Sequence, residues 1–374
     1  MERKRILSLD GGGVRGVFTI EILARMEELL REKYKNEKPD FVLADHFQFM
    51  AGTSTGAILA TLLSWGQTVD QVRTLYYERC QEIFPPFAPW RVWRFRRLWH
   101  RLARAIYGEE SLADFLQDFF KDKVTGKPVD LGTDQLKTLL LLCMRNASTG
   151  SAWPVTNNKS ALYNQPDDPA CNLRLPLWQL VRASTAAPIY FLPEKIKVGD
   201  AEFAFIDGGM TPYNNPALIA ALTAILPCYH IEWPTGPDKL LLVSIGTGRM
   251  RSVLKDLSFW TLNMGKNLLT VPQGLMESAS MQQDFLCRVF GHCIFGDQID
   301  TEVGDLIPAG QDLNLSGDKK FSYVRYDHSF GGQELIDAVA AVGELTLSNI
   351  KSMPLLTQLG QTYALKNVKL KHLL

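Results

Sequence analysis

A serine flanked by glycines is the first part of the chain whose residue types and spacing suggest chemistry: Gly52-Thr53-Ser54-Thr55-Gly56. The apolar residues 47–51 before it predict a short buried strand, and residues 57–63 after it predict the first turns of an apolar helix. Gly52 and Gly56 remove side chains that would collide where the backbone reverses. The pattern predicts a nucleophile elbow that exposes the hydroxyl of Ser54, although Gly-x-Ser-x-Gly also occurs in ordinary glycine-rich turns.

A glycine loop near the start of the chain has the composition of an oxyanion hole. Residues 6–9 predict a strand and residues 17–33 a helix, and Gly11, Gly12 and Gly13 lie between them. Backbone N–H groups at a helix N-terminus can point at the negative charge that develops when a serine attacks a carbonyl. Farther along the same loop, Arg15 would add positive charge or brace the backbone.

The same loop also fits a second interpretation. Gly11, Gly13 and Gly16 match the dinucleotide-binding pattern Gly-x-Gly-x-x-Gly. The acidic residue expected about 20 positions later would fall within the predicted helix or the charged turn after it. A nucleotide-binding module therefore stays open as an alternative, with weaker support.

Besides a nucleophile and an oxyanion hole, the chemistry needs a base that accepts the proton of the serine. An aspartate is the best candidate for this base. Residues 203–206 predict a strand that ends in Asp207-Gly208-Gly209, and the glycines let the backbone turn while the carboxylate faces the carboxyl edge of the sheet. On its own the same tripeptide is also typical of a hairpin turn. None of the histidines after Ser54 lies in a glycine-bounded loop directly after a predicted strand: His100, His230, His292, His328 and His372.

Taken together, these motifs resemble those of a known family. Residues 10–16, 52–56 and 207–209, in this order, are similar to the three signature motifs of the bacterial type of patatin-like phospholipase. Residues 182–191 and 243–248 resemble two further blocks of that family. The resemblance covers at least residues 5–248.

The resemblance implies a three-layer α/β/α fold with a mostly parallel central sheet. It implies a serine-aspartate dyad that hydrolyses phospholipid esters through an acyl-serine, with Ser54 as nucleophile, Asp207 as base and the amides of residues 11–13 as oxyanion hole. No metal or other cofactor is then needed for catalysis. We expect residues 5–220 to form the catalytic domain and residues 221–374 to continue the same α/β body, with a regulatory role.

The elements between the motifs must bring them together. The first strand should neighbour the strand of the elbow, and the very apolar residues 240–245 predict a fully covered central strand. We also expect residues 148–172 to form a long polar loop over the site. Further predicted strands and helices cover residues 69–84, 108–120, 137–144, 177–187, 216–226, 260–269, 273–290, 320–326, 334–347 and 348–364.

Composition excludes several classes of protein. Forty basic and forty acidic residues cancel, so no global field would recruit nucleic acid or an anionic membrane. The six cysteines form no Cys-x-x-Cys pair, which argues against a zinc site and a disulfide framework. Because no signal peptide and no apolar run of about 18 residues is found, we expect a cytoplasmic protein that acts peripherally on the inner membrane.

One segment departs from this neutral balance. Residues 90–104 contain six arginines, three tryptophans and no acidic residue. Tryptophan suits a lipid interface and arginine suits phosphate, so Arg94, Arg97 and Trp99 are candidates for contact with a membrane or an anionic activator. A surface helix with its aromatic side chains turned inward is the alternative.

The resemblance also suggests regulation. Compact bacterial patatin-like proteins include the effectors of cyclic-oligonucleotide (CBASS) antiphage systems, which a cyclic dinucleotide activates to degrade host membrane phospholipid. The length and simple layout of this chain are similar to theirs, so we expect a cyclic dinucleotide activator and a phospholipid membrane as partners, and a homo-oligomer stays open. The alternatives are an unregulated lipid acyl hydrolase or lysophospholipase and, against the intact Ser54 and Asp207, an inactive relative.

Overall fold

The computed structural model describes residues 2–79, 109–188, 191–250, 264–299, 318–330 and 349–374. Helices and strands are numbered over these residues alone. The helices are α1 (Gly16–Tyr34), α2 (Thr55–Ser64), α3 (Val69–Glu78), α4 (Glu109–Phe119), α5 (Leu177–Ser184), α6 (Ala217–Ile225), α7 (Met264–Phe290) and α8 (Met353–Asn367). The strands are β1 (Lys4–Leu9), β2 (Phe49–Thr53), β3 (Leu139–Asn146), β4 (Ala152–Thr156), β5 (Glu194–Val198), β6 (Ala201–Asp207), β7 (Leu240–Ile245), β8 (Arg249–Met250), β9 (Gly291–Phe295), β10 (Phe321–Tyr326) and β11 (Ser329–Phe330).

One twisted sheet organises the described chain. Its strand order is β5-β6-β3-β2-β1-β7-β10-β9, and β4 pairs with β3 outside this path. Strands β3, β2, β1, β7, β10 and β9 pair in parallel, whereas β6 and β4 are antiparallel to β3. The prediction that the first strand neighbours the elbow strand is confirmed, since Leu9 pairs with Gly52. Strand β7 is fully buried between β1 and β10, as its apolar sequence predicted.

Both faces of the sheet are covered, which gives the three layers. Alternate residues of each central strand point to opposite faces. Leu7 packs into a large core with helices α1 to α5 and α8, whereas Ile6 packs into a second core that contains α6. On β2, Met50 packs into the large core and Phe49 packs into the second core. The predicted α/β/α arrangement with a mostly parallel sheet is confirmed.

Two sequence predictions about the elements were wrong. The segment 148–172 does not form a loop over the site, because β4 lies within it and pairs antiparallel with β3, so that Thr156 reaches Leu141 near the start of that strand. The elbow strand β2 begins and ends two residues later than predicted, because its pairing with β1 and β3 continues to Thr53.

The remaining predictions concern the second half of the chain. The described part of residues 260–290 is one helix, α7, which runs directly into β9. The predicted helix at 334–347 lies outside the described residues. No helix within the described ranges combines the length and the apolar character needed to cross a bilayer.

Candidate active site

The elbow has the strained geometry that its glycines allow. β2 ends at Thr53, α2 begins at Thr55, and Ser54 between them has φ 53° and ψ −124°, a conformation that L-residues rarely adopt. A Cβ on Gly52 would lie 2.2 Å from the carbonyl oxygen of Gly56, and a Cβ on Gly56 would lie 2.2 Å from the carbonyl oxygen of Leu9. Both glycines are therefore required for the close packing of the turn.

Ser54 and Asp207 are in direct contact. The hydroxyl of Ser54 donates to Oδ2 of Asp207 at 2.6 Å, and the amide of Gly209 donates to Oδ1 of the same carboxylate at 2.6 Å. Both side chains are buried, with Ser54 9% and Asp207 3% exposed. Burial raises the pKa of Asp207 to about 6, against the opposing effect of these two hydrogen bonds. A carboxylate of this basicity can accept a proton near neutral pH.

Strand register explains why these two residues meet. Thr53 at the end of β2 pairs with Cys143 of β3, and Asp207 at the end of β6 pairs with the next residue, Met144. Asp207 therefore approaches on an antiparallel strand, not on the parallel strand that a carboxyl-edge site would suggest. A Cβ on Gly208 would lie 2.1 Å from the carbonyl oxygen of Cys143, so only glycine lets the chain turn here.

The glycine loop lies beside the dyad, but its three amides differ. The amide of Gly11 donates to the carbonyl of Asn214 at 3.0 Å, so this N–H is already occupied. Within the described residues, the amides of Gly12 and Gly13 have no acceptor. A Cβ on Gly12 would lie 2.1 Å from Oγ1 of Thr247, so this position also requires glycine. Of the three amides expected to form an oxyanion hole, those of Gly12 and Gly13 therefore keep an N–H group that is not bonded within the described residues.

Arg15 braces the loop against the C-terminal half of the chain. Its side chain is 5% exposed, and Nη1 contacts Oε1 of Glu277 on α7 at 3.4 Å. The same helix contacts the site twice more: Met276 lies against Gly209, and the hydroxyl of Ser280 accepts from the side-chain amide Nδ2 of Asn214 at 2.9 Å. Helix α7 therefore packs on the loop and on the turn that follows Asp207.

Sequence reasoning missed a buried ionic network behind the loop. Asp10, directly before the glycines, accepts two hydrogen bonds from Arg325 of β10, at 2.9 and 2.6 Å. Arg325 also donates to Asp327 at 3.0 Å, and the amide of Gly248 donates to Asp327 at 3.1 Å. The one available signal was an arginine inside the predicted strand 320–326.

Three further residues lie beside the site, and the sequence motifs alone did not identify them as neighbours of the dyad: Asn214, Thr247 and Ser184. Ser184 and Thr247 lie inside the two supporting blocks, 182–191 and 243–248, and the residue types alone did not show their contacts. The candidate contact residues for a membrane or activator lie outside the described residues: Arg94, Arg97 and Trp99.

Comparison with known proteins agrees with the motifs. A family model described as patatin-like phospholipase matches residues 7–221. The chain is 31% identical over 312 residues to a cGAMP-activated phospholipase of Escherichia coli, an alignment that covers 79% of this chain and 80% of that protein. It is 33% identical over 218 residues to a cGAMP-activated phospholipase of Vibrio cholerae, covering 58% of this chain and 56% of that protein. It is also 27% identical over 301 residues to Patatin-17 of Solanum cardiophyllum, covering 75% and 70% respectively.

Proposed function

We propose that Ser54 and Asp207 form the catalytic dyad of this chain, which belongs to the patatin-like phospholipase family and is a hydrolase acting on lipid esters. The observation that carries the proposal is the 2.6 Å hydrogen bond between the serine hydroxyl and the buried carboxylate. The substrate we propose is membrane phospholipid, from which the enzyme releases fatty acids.

The first half of the reaction acylates the serine. Oγ of Ser54 attacks the ester carbonyl carbon while its proton passes to Asp207. The amides of Gly12 and Gly13 stabilise the oxyanion that forms; a well-placed donor of this kind contributes about 10²- to 10³-fold in rate. When the tetrahedral intermediate collapses, the bond to the leaving alcohol breaks and the alcohol oxygen takes the proton from Asp207.

The second half releases the fatty acid. Asp207 accepts a proton from a water molecule, whose oxygen attacks the acyl-serine carbonyl. The same two amides stabilise the second oxyanion. Collapse of this intermediate breaks the bond to Oγ, and Ser54 recovers its proton from Asp207. The dyad returns to its starting state, and no histidine takes part.

We further propose that a cyclic dinucleotide switches the enzyme on, so that it degrades host membrane in antiphage defence. Two similar proteins, of E. coli and V. cholerae, are named cGAMP-activated phospholipases. Ser54 is buried, and α7 packs on the glycine loop. Both observations support an inactive conformation of the enzyme, which must rearrange before a lipid ester can reach the hydroxyl of Ser54. Contact with the membrane would be peripheral.

Fatty-acid release from phospholipid vesicles tests both parts of the proposal. The full chain is assayed beside Ser54→Ala, with and without a panel of cyclic dinucleotides that includes cGAMP. Ser64→Ala is the matched control, because Ser64 is a fully buried serine at the far end of α2 whose hydroxyl lies 2.6 Å from that of Thr138. We expect release only with one nucleotide, and only in wild type and Ser64→Ala.

Other results would change the proposal in defined ways. Equal release with and without nucleotide would keep the dyad and remove the switch, leaving an unregulated lipid acyl hydrolase. Release by Ser54→Ala at the wild-type rate would remove Ser54 from the mechanism. Tight NAD or ATP binding that survives Ser54→Ala, together with no release under any condition, would favour a nucleotide-binding module.

A further inference from the structure

One short segment at the C-terminal end of α5 contacts the backbone of both proposed dyad residues. The hydroxyl of Ser184, the last residue of α5, accepts from the amide of Ser54 at 3.0 Å. Two residues later, the carbonyl of Ala186 accepts from the amide of Asp207 at 2.9 Å. The nucleophile and the base are therefore attached to the same three residues of chain, 184–186.

The hydroxyl of Ser184 occupies a special place at the end of the sheet. It accepts from Ser54 and donates to the carbonyl of Cys143 at 2.6 Å, so it bridges β2 and β3 where their pairing stops at Thr53 and Cys143. Ser184 is fully buried, and water cannot replace these bonds without a cavity. The bridge holds the amide of Ser54 at the point where the backbone enters its strained conformation.

The segment itself is firmly braced. The hydroxyl of Thr185 donates to the carbonyl of Arg182 at 2.9 Å, and the guanidinium of Arg182 lies 4.6 Å from the ring centre of Phe191. Arg182 is 2% exposed. A rigid segment that contacts both amides restricts how far Ser54 and Asp207 can separate, and small errors in such a distance are costly for proton transfer.

We propose that Ser184 is a positioning residue that sets the distance between Ser54 and Asp207. This inference rests on the proposed dyad. Ser184 touches neither substrate nor the reacting oxygen, and it acts through the backbone of Ser54. Loss of its hydroxyl leaves the amide of Ser54 and the carbonyl of Cys143 unpaired, which allows the elbow to relax away from Asp207.

Two consequences distinguish positioning from a general contribution to folding. The turnover number falls while KM for a soluble ester stays the same, because the ester contacts are unchanged. The acid limb of the pH profile also moves to higher pH, because the hydrogen bond from Ser54 lowers the pKa of Asp207 and this bond weakens. A change in stability alone would move neither quantity in the protein that remains folded.

The experiment compares Ser184→Ala with wild type, Ser184→Thr and the control Ser64→Ala. Each protein, as the full chain and with the activating cyclic dinucleotide present, is assayed for p-nitrophenyl butyrate hydrolysis as a function of pH, and for the rate at which a fluorophosphonate labels Ser54. For Ser184→Ala we expect turnover and labelling to fall about 10- to 100-fold, with KM changed less than about twofold. Ser184→Thr, which keeps the hydroxyl, should recover most of the loss, and Ser64→Ala should match wild type.

Wild-type turnover, labelling and pH profile in Ser184→Ala would overturn the inference. If Ser184→Ala does not fold, Ser184→Cys takes its place, because a thiol has a similar shape and forms weaker hydrogen bonds; wild-type behaviour of that variant would overturn the inference equally. Ser54→Ala is run in parallel: activity in that variant refutes the dyad itself, whereas an inactive Ser54→Ala beside a fully active Ser184→Ala refutes only the role of Ser184.

Discussion

Arg325 and Asp10 are separated by 315 positions in the sequence, yet the two terminal nitrogens of the guanidinium, Nη1 and Nη2, donate to the two oxygens of the carboxylate. Arg325 lies on β10 and Asp10 follows β1, with β7 between the two strands. Nη1 of Arg325 also donates to the hydroxyl of Ser244 on β7 at 2.7 Å. The start of the glycine loop is thus anchored by a strand from the last fifth of the chain.

This ion pair predicts a large loss of stability when one partner is removed. Arg325→Met leaves the carboxylate of Asp10 buried without its cation and leaves Asp327 with Arg249 alone, so we expect the free energy of unfolding to fall by about 3–5 kcal/mol. Adding Asp10→Asn should recover part of this loss, since the uncompensated charge of Asp10 is then gone. Urea denaturation of the single and double variants measures both effects.

The matched control for that experiment is an exposed ion pair. Lys159 and Asp134 are 2.7 Å apart with side chains that are 67% and 90% exposed, so Lys159→Met should leave the urea midpoint unchanged. Equal losses in Arg325→Met and Lys159→Met would show that the buried pair has no special role.

The pKa of Asp207 predicts the pH dependence of the reaction. The proposed base must be ionised to accept the proton of Ser54, and burial raises its pKa to about 6. Activity should therefore be full above this value and fall as the pH drops through about 6. A profile of kcat/KM against pH with a soluble ester measures the midpoint; a midpoint near 3.8, the ordinary value for aspartate, would contradict the assigned environment.

The same shift predicts that Asp207→Asn stabilises the protein while it removes activity. Because the pKa is raised in the folded state, the folded protein binds this proton more tightly than the unfolded chain does. Ionised Asp207 therefore destabilises the fold fully above pH 6 and not at all below about 3.8.

The size of this effect follows from the two pKa values. The asparagine variant should be more stable than wild type by about 3 kcal/mol at pH 8, and the gain should shrink as the pH approaches 4. Denaturation at the two pH values measures it. A variant that is less stable than wild type at pH 8 would contradict the desolvation of Asp207.

A side chain at position 12 should disturb the proposed oxyanion hole by steric conflict. A Cβ on this residue would lie 2.1 to 2.6 Å from three atoms of Thr247, so Gly12→Ala must displace the loop and lower the turnover number by about 10²-fold or more. Adding Thr247→Gly removes all three atoms and should restore part of the rate.

Gly274 provides the control for this substitution. It lies on α7, and a Cβ there would meet no atom of the described residues within 4 Å. Gly274→Ala should leave the rate of ester hydrolysis unchanged and favour the helix by about 0.5–1 kcal/mol. Full activity in Gly12→Ala would show that the close contact with Thr247 is not maintained during catalysis.

Local residue patterns were sufficient to predict most elements near the site. The strand, glycine loop and helix around Gly11 lie within residues 4–34, and the strand, serine and helix around Ser54 lie within residues 49–64. Their apolar periodicity and their glycines depend on immediate neighbours, so the sequence alone indicates them. The order of the three motifs also indicated the family, which the matching family model confirms.

Tertiary structure alone decided how these pieces fit together. The apolar pattern of a strand indicates which of its side chains are buried. It does not indicate which strand pairs with it, or whether that pairing is parallel or antiparallel. Three features of the site depend on such pairings. They are the antiparallel strand that carries Asp207, the hydrogen bond from the amide of Gly11 to Asn214, and the contact of Arg325 with Asp10. These contacts join residues from 63 to 315 positions apart, and only packing of the whole sheet determines them.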